Sequence, residues 1–392
     1  MNRSVANFVT APPIPDFKNR SRNVQPLTGK SFDLTQAVPS YATFAKIKAE
    51  LAKDLLEGRV DFYTEVPGLL ELREKLCEKH PLLQKSDANR TLITAGANHA
   101  MMTALMCLLN AGDTVLLPEP FYFNYEMALP MLGLKGVFFQ LDAHKGMQLN
   151  ARDLVAFLET SARETKALVL ITPNNPSGAC YSPQEIHELL TWTSPRGIEV
   201  IVDETYLRFD PNHLAEPKLR SYLGKGLTLV GSFSKSFSLT GYRVGYLVLS
   251  PEQFTQALKI QDTMVICPSH IGQRAAIHGL EHCESDVQFQ ANRMAKLAQQ
   301  LQTRLAALKH FQLVSQGAFF AYLKHPFSTM DAETAAITLY RETGILGLPG
   351  TTFGKSQQSF IRLSISNLDE NQLKEAMDQL VDYDQRVKGA RS

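Results

Sequence analysis

From about residue 42 the chain settles into a regular spacing of apolar positions. TFAKIKAELAKDLLEG (43–58) and PGLLELREKLCEKH (67–80) place their large apolar residues three and four apart, which predicts two amphipathic helices. A long alternation follows. TLIT (91–94), TVLLPEP (114–120), GVFFQL (136–141), ALVLIT (167–172), IEVIVD (198–203), LTLVGSF (227–233) and YRVGYLVL (242–249) are short apolar runs, mostly bounded by Gly, Pro or Asp, and read as strands. Helical stretches such as AMMTALMCLLN and SPQEIHELLTWT lie between most of them. Strands that alternate with helices in this way predict an α/β fold, with a mainly parallel seven-stranded sheet sandwiched by helices.

After about residue 286 the pattern changes. A long helix (QFQANRMAKLAQQLQTRLAALKH) leads into FQLVS, FFAYLK and FIRLSIS, with further helices over 331–342 and 368–387, which predicts a smaller α+β domain. FDLTQAVP, near the start, has no partner in the main sheet and is assigned to this second domain. The expected division is 42–285 for the large domain and 1–41 plus 286–392 for the small one. Residues 1–30 hold Pro12, Pro13, Pro15 and Pro26 and read as an extended arm, with a disordered tail as the alternative.

Composition narrows the field only slightly. A length of 392 residues suits about two domains. With 44% hydrophobic and 20% charged residues, the chain has the make-up of a soluble globular protein. A net charge of +1 gives no footprint for nucleic acid or an anionic membrane, and no apolar run reaches the roughly 18 residues of a membrane span. The 5 cysteines are scattered with no C-x-x-C pair, so no metal site or redox motif is expected. Buried thiols in a reducing compartment are the simpler reading, and a cytoplasmic location is the default.

The candidate chemistry lies at strand ends. In SFSKSFSLTGYRVGY (232–246), Lys235 follows a strand among hydroxyls, with Ser232, Ser234 and Arg243 nearby. Hydroxyls and a guanidinium suit a phosphate, and an amine beside a phosphate site suits imine formation with a phosphorylated aldehyde. Taken alone, such a segment is more often a solvated Ser/Lys loop. VDETYLRF (202–209) puts Asp203 at the end of an apolar strand, where a protonated ring nitrogen would partner it, with Tyr206 three residues on. TPNNPSG (172–178) turns tightly after another strand and projects an amide side chain from the sheet edge, a turn that is uninformative when taken alone. TAGANHAMM (94–102) runs from strand through a small-residue turn into a helix, whose free first-turn N–H groups form an anion site. PEPFYFNY (118–125) puts an aromatic cluster after another strand, where it could stack on a planar ring, with core packing as the commoner use of such residues. Arg362, inside the apolar FIRLSIS, is costly unless paired, either with an incoming carboxylate or in a structural salt bridge.

Together these segments resemble the fold-type I pyridoxal-phosphate aminotransferases of class I/II over about residues 33–370. SFSK followed by GYRVGY is similar to that family's cofactor-lysine segment, including the arginine eight residues after the lysine. The resemblance implies a large domain of the PLP-dependent transferase type I, with pyridoxal 5′-phosphate bound to Lys235 as a Schiff base and Lys235 as the proton carrier. Asp203 would meet the pyridine nitrogen, Tyr206 and Asn175 the phenolic oxygen, and Tyr122 the ring face. Ala97, Asn98, Ser232 and Arg243 would hold the phosphate, joined by Tyr63 of DFYTEVPGLLELR (61–73) reaching across a homodimer. Arg362 would bind the substrate carboxylate, with Asn175 and Ala37 beside it. Ala37 stands where the family often has glycine, and Asn98 where some aspartate-using relatives place lysine.

The implied reaction moves an amino group between an L-amino acid and a 2-oxo acid. Other PLP reactions on the same scaffold, such as β-elimination or C–S cleavage, cyclisation, or oxygen-dependent oxidation or hydroxylation, share these residues. An effector domain that only senses the cofactor is disfavoured by the near-neutral charge and the absence of a helix-turn-helix segment. Tyr41, Phe121, Tyr122 and Phe353 are the candidate readers of the substrate side chain, which points to a bulky or aromatic substrate.

Overall fold

The computed structural model describes residues 5–210 and 216–387. Near the N-terminus, helix α1 (Pro13–Ser21) replaces the extended arm expected there. Prolines at the first turn cost a helix nothing, because the N–H groups they remove have no intrahelical acceptor. The helix is held by Phe17, which is 1% exposed and packs with Leu34, Phe319 and Ala335 in the core of the C-terminal part. Residues 1–4 of the expected arm lie outside the described residues. Phe17→Ala is therefore expected to cost about 3–5 kcal/mol of stability in a denaturant titration. A loss below about 1 kcal/mol would show that α1 is not packed as described.

Strand β1 (Phe32–Asp33), α2 (Ala45–Leu56) and α3 (Leu70–Lys79) come next. The alternation then runs β2 (Thr91–Thr94), α4 (Ala97–Leu108), β3 (Thr114–Glu119), α5 (Phe123–Met131), β4 (Lys135–Gln140), α6 (Ala151–Ser161) and β5 (Thr165–Ile171). It continues with α7 (Pro183–Thr193), β6 (Glu199–Asp203), β7 (Leu227–Ser232), β8 (Gly245–Val248), α8 (Pro251–Val265) and α9 (His270–His282).

These strands form one seven-stranded sheet in the order β2-β8-β7-β6-β5-β3-β4. All neighbours are parallel except β8, which runs antiparallel to both β2 and β7. The last predicted strand starts three residues late, at Gly245. Tyr242 closes a short 3-10 turn and Arg243 takes φ +54°, a left-handed conformation no strand accommodates. One apolar layer, with Leu72, Leu76, Leu154, Leu189 and Ala276, covers one face of the sheet; a second, with Met101, Leu105 and Ala257, covers the other. Burial on both faces explains why β5, β6 and β7 read as continuous apolar runs.

The remainder comprises α10 (Glu284–Leu305), β9 (Gln312–Gly317), β10 (Phe320–Lys324), α11 (Ala332–Thr343), β11 (Ile345–Leu346), β12 (Leu348–Pro349), β13 (Phe360–Ser364) and α12 (Glu370–Arg386). Four of its strands make an antiparallel sheet, β12-β13-β10-β9. Here β1 finds its partner, pairing in parallel with β11 through Phe32↔Ile345 and Asp33↔Leu346. That pairing brings Gln36, Ala37 and Val38 to the strand ends of the large sheet.

Candidate active site

At the C-terminal ends of the parallel strands lies a cavity of about 270 Å³, the place where open α/β sheets bind ligands. Ala97, Asn98, Tyr122, Asn175, Asp203, Tyr206, Ser232, Lys235, Arg243, Arg362 and Ala37 all line it. Seven segments carry them: the stretch after β1 (Ala37), the start of α4 (Ala97, Asn98), the residue before α5 (Tyr122), the turn after β5 (Asn175), the end of β6 (Asp203, Tyr206), the end of β7 with its following loop (Ser232, Lys235, Arg243), and β13 (Arg362). Residues scattered over the whole sequence therefore converge because the sheet aligns its strand ends. Tyr63 does not join them. It is 78% exposed and outside the cavity of its own chain.

Lys235 donates from Nζ to the Ala37 carbonyl at 2.5 Å, and its amine stands 5.9 Å from the centre of the Tyr206 ring. Its backbone carbonyl accepts from Tyr41 Oη at 2.9 Å. Removal from water, then the charges of Arg243 and Arg362, pull the amine's pKa down to about 8, against the opposing pull of Asp203. A neutral, nucleophilic amine is thus accessible near physiological pH.

Asp203, only 4% exposed, accepts from Tyr125 Oη at 2.6 Å on one oxygen, and from Thr205 N at 2.9 Å and Thr205 Oγ1 at 2.7 Å on the other. Burial pushes its carboxyl pKa up, and these hydrogen bonds oppose the push. The donors it receives are all neutral, so the carboxylate suits a cationic N–H from a ligand.

Arg362 is 1% exposed and lies 5.0 Å from the Phe353 ring and 5.4 Å from that of Phe320. Nη1 donates to Asn175 Oδ1 at 3.1 Å, Nη2 donates to the Thr35 carbonyl, and Nε has no hydrogen-bond partner among the described residues. Burial lowers its pKa to about 10, leaving it a cation at neutral pH. Asp33, whose charge acts on it from a distance, is paired with Lys18 at 2.5 Å. A buried guanidinium bonded to neutral acceptors, with one donor orphaned, matches a site that receives a carboxylate.

The helix-start turn supplies an anion cradle. Gly96 caps α4 with φ +89° and offers no side-chain cap, so the first-turn N–H groups of Ala97 and Asn98 are left to the cavity. A Cβ on Gly96 would sit 2.5 Å from Arg243 Nη2, so only glycine admits the guanidinium there. Arg243 is fixed by donating to the carbonyls of Thr240 at 3.0 Å and Ala95 at 3.3 Å. Ser232 Oγ accepts from Ser234 N at 3.1 Å.

Three of the expected side-chain readers do not line the cavity. Phe353 is fully buried beneath Arg362, Phe121 packs on Phe138 at 5.2 Å, and the Tyr41 ring stacks on Phe44 at 5.5 Å. Tyr122 does line it, with Ile14, Val38 and Phe123 as further apolar walls. Tyr125 and Thr205 are site residues the sequence reading passed over. Tyr125 stands three residues after Tyr122, in the first turn of α5, and Thr205 closes a local turn on Asp203; both spacings were there to be read.

A lysine amine of lowered pKa, a carboxylate with neutral donors and an anion cradle, all at the strand ends of one mainly parallel sheet, form an arrangement able to receive an amine and a phosphorylated ring. The pattern of the class I and II aminotransferases matches residues 30–380. The chain belongs to that family and is an aminotransferase, one of a class that uses pyridoxal 5′-phosphate. It is 31% identical over 385 residues to the aspartate aminotransferase of Sulfolobus acidocaldarius, covering 94% of this chain and 93% of that one. It is 26% identical to aromatic-amino-acid aminotransferase 2 of Thermococcus litoralis, over 90% of this chain and 93% of the other. In fold it superposes on the aspartate aminotransferase of Thermus thermophilus solved with maleate, at a TM-score of 0.86 and 23% identity, covering 97% of this chain and 99% of that one. Among the described residues, no helix is long and apolar enough to cross a membrane.

Proposed function

We propose that this aminotransferase holds pyridoxal 5′-phosphate in the strand-end cavity and uses it on a neutral, apolar amino acid. The carrying observation is the pairing, in one cavity, of the depressed Lys235 amine with an Asp203 carboxylate that receives only neutral donors. The residues fit the cofactor group by group. Lys235 would meet the aldehyde, Asp203 the ring nitrogen, Tyr206 and Asn175 the phenolic oxygen, and Tyr122 the ring face. The N–H groups of Ala97 and Asn98, with Ser232 and Arg243, would meet the phosphate.

Bound there, the cofactor supplies the electron sink that lets a Cα–H bond ionise. Arg362 binds the substrate carboxylate bidentately and so fixes the orientation of Cα. With the cofactor bound, Lys235 Nζ would be the group that takes up the Cα proton of the amino acid and gives it back. Asp203 would accept from the ring nitrogen and favour a proton there. The Ala37 carbonyl, which holds Nζ in the resting chain, keeps the amine beside the substrate's path.

The walls suggest the substrate class. Ile14, Val38, Tyr122 and Phe123 line the cavity, and Asn98 offers no charge for a side-chain carboxylate. The exposed Phe62 and Tyr63, both 78% accessible, with Ile266 at 44%, support a homodimer in which Tyr63 serves the neighbouring site. The β1–β11 pairing supports the division into a large part, 42–285, and a small part made of both ends of the chain.

Single amino acids added to the cofactor-loaded enzyme test this reading. Recovery of pyridoxamine phosphate is expected from bulky neutral amino acids, with kcat/KM at least about tenfold above that for aspartate, the selectivity an apolar pocket can supply. Preference for aspartate would sink the substrate class. Release of ammonia or peroxide without pyridoxamine phosphate would sink the use of the site for transamination.

A further inference from the structure

Behind Asp203, three polar side chains meet outside the strand-end cavity. Glu204, the next residue along the chain, turns to the other side of β6 and lines a second, smaller cavity with Leu76, Phe233, Phe237 and Leu280. Its side chain is 0% exposed, and that of His80 1%. Glu204 Oε1 accepts from Tyr246 Oη at 2.7 Å and from His80 Nε2 at 2.8 Å. The fold makes room for this contact: a Cβ on Gly231 would overlap the Tyr246 ring.

The protonation states follow from the hydrogen bonds. His80 Nδ1 accepts from the backbone N–H of Leu82 at 3.2 Å, so the ring proton sits on Nε2 and the imidazole is neutral. Glu204 thus receives two donors on one oxygen, an arrangement that favours the carboxylate over the acid. The other charged groups around this cavity are Lys79, at the end of α3, and Arg208 and Glu284, which pair with each other. Asp203 and Lys235 lie on the opposite side of the strand end.

We propose that Glu204 is a positioning residue of the transaminase site, whose fixed negative charge behind the backbone favours a proton on the cofactor group received by Asp203. The proposal rests on the reading that Asp203 receives the ring nitrogen. His80 and Tyr246 hold the charge in place, one from the end of α3 and the other from β8, so the field is the same in every turnover. Burial is the main cause of the raised proton affinity of Asp203, and the charge of Glu204 adds to it in the same direction. A charge one residue away, across protein and not water, is worth on the order of one pH unit at a titrating site.

The visible absorption of the cofactor-loaded enzyme, titrated over pH, tests this without reference to turnover. Glu204→Gln keeps the size and an acceptor for His80 and removes the charge, so the midpoint is expected to fall by roughly one unit. Glu204→Asp keeps the charge and shortens the reach to Tyr246, and its midpoint is expected to stay near the parental one. A Glu204→Gln midpoint within about 0.3 unit of the parent, or a Glu204→Asp midpoint displaced as far as that of Glu204→Gln, would overturn the proposal in favour of a packing role.

Should Glu204→Gln fail to fold, Tyr246→Phe provides the same reading. Loss of one donor makes Glu204 easier to protonate, so a smaller fall in the midpoint is expected, and no fall overturns the proposal. A parental enzyme with no visible chromophore at any pH would remove the cofactor reading and this proposal with it. That result is distinct from a chromophore whose midpoint ignores Glu204.

Discussion

Lys235→Ala is expected to abolish transamination, with kcat lowered by at least about 10²- to 10⁴-fold, the contribution of a positioned proton carrier alone. The variant should also lack the yellow colour of the loaded enzyme. Both follow from the place of the amine. Nζ shares its cavity with Asp203, Arg243 and Arg362, and among the described residues no other lysine lines it. The two arginines and the loss of water hold the amine's pKa at about 8. The neutral form is the nucleophile, so the rate at which cofactor-free protein takes up pyridoxal phosphate covalently should rise with pH and level off above about 8. An ordinary lysine would keep gaining rate to beyond pH 10. Rapid-mixing absorbance measurements separate the two profiles. Normal turnover by Lys235→Ala would refute the assignment outright.

How far the sequence foretold this site depends on the range of the interaction. The strand-end residues were legible because an apolar run followed by Gly, Pro or Asp gives both the strand and the place where it stops. Asp203, Asn175 and Lys235 each stand at or just past such a stop. The seven strands were legible for the same reason. Helix α1 was not, because four prolines within 30 residues suggest extended chain, and only the contact of Phe17 with a core built some 300 residues later rewards a helix. Phe121 and Phe353 were misplaced because an aromatic beside a strand end can face either the ligand or the core, and local sequence does not say which. The bond from Tyr125 to Asp203 spans 78 residues, and that from Glu204 to His80 spans 124. Such pairings exist only once the sheet order is fixed.

Arg362→Met is expected to separate function from stability. The guanidinium lies buried on Phe353 and Phe320, with its hydrogen bonds going to the neutral oxygens of Asn175 and Thr35 and with Nε unpartnered. Keeping a charge there costs desolvation energy that those neutral acceptors offset only in part. A substrate carboxylate completes the pairing, and truncating one partner of a desolvated, hydrogen-bonded ion pair costs about 2–5 kcal/mol. kcat/KM should therefore fall by about 30-fold to several thousand-fold, with most of the loss in KM, since the contact is made before as well as after the proton moves. Folding should respond differently. Methionine fills much of the same volume, removes the buried charge and leaves two oxygens short of a donor, so the gain and the loss nearly cancel and stability should change by no more than about 1 kcal/mol. Steady-state kinetics with one amino acid, together with a denaturant titration of the cofactor-free chain, read both quantities. Should stability collapse while KM holds, Arg362 would be a structural cation, and the carboxylate would have to be bound elsewhere in the cavity.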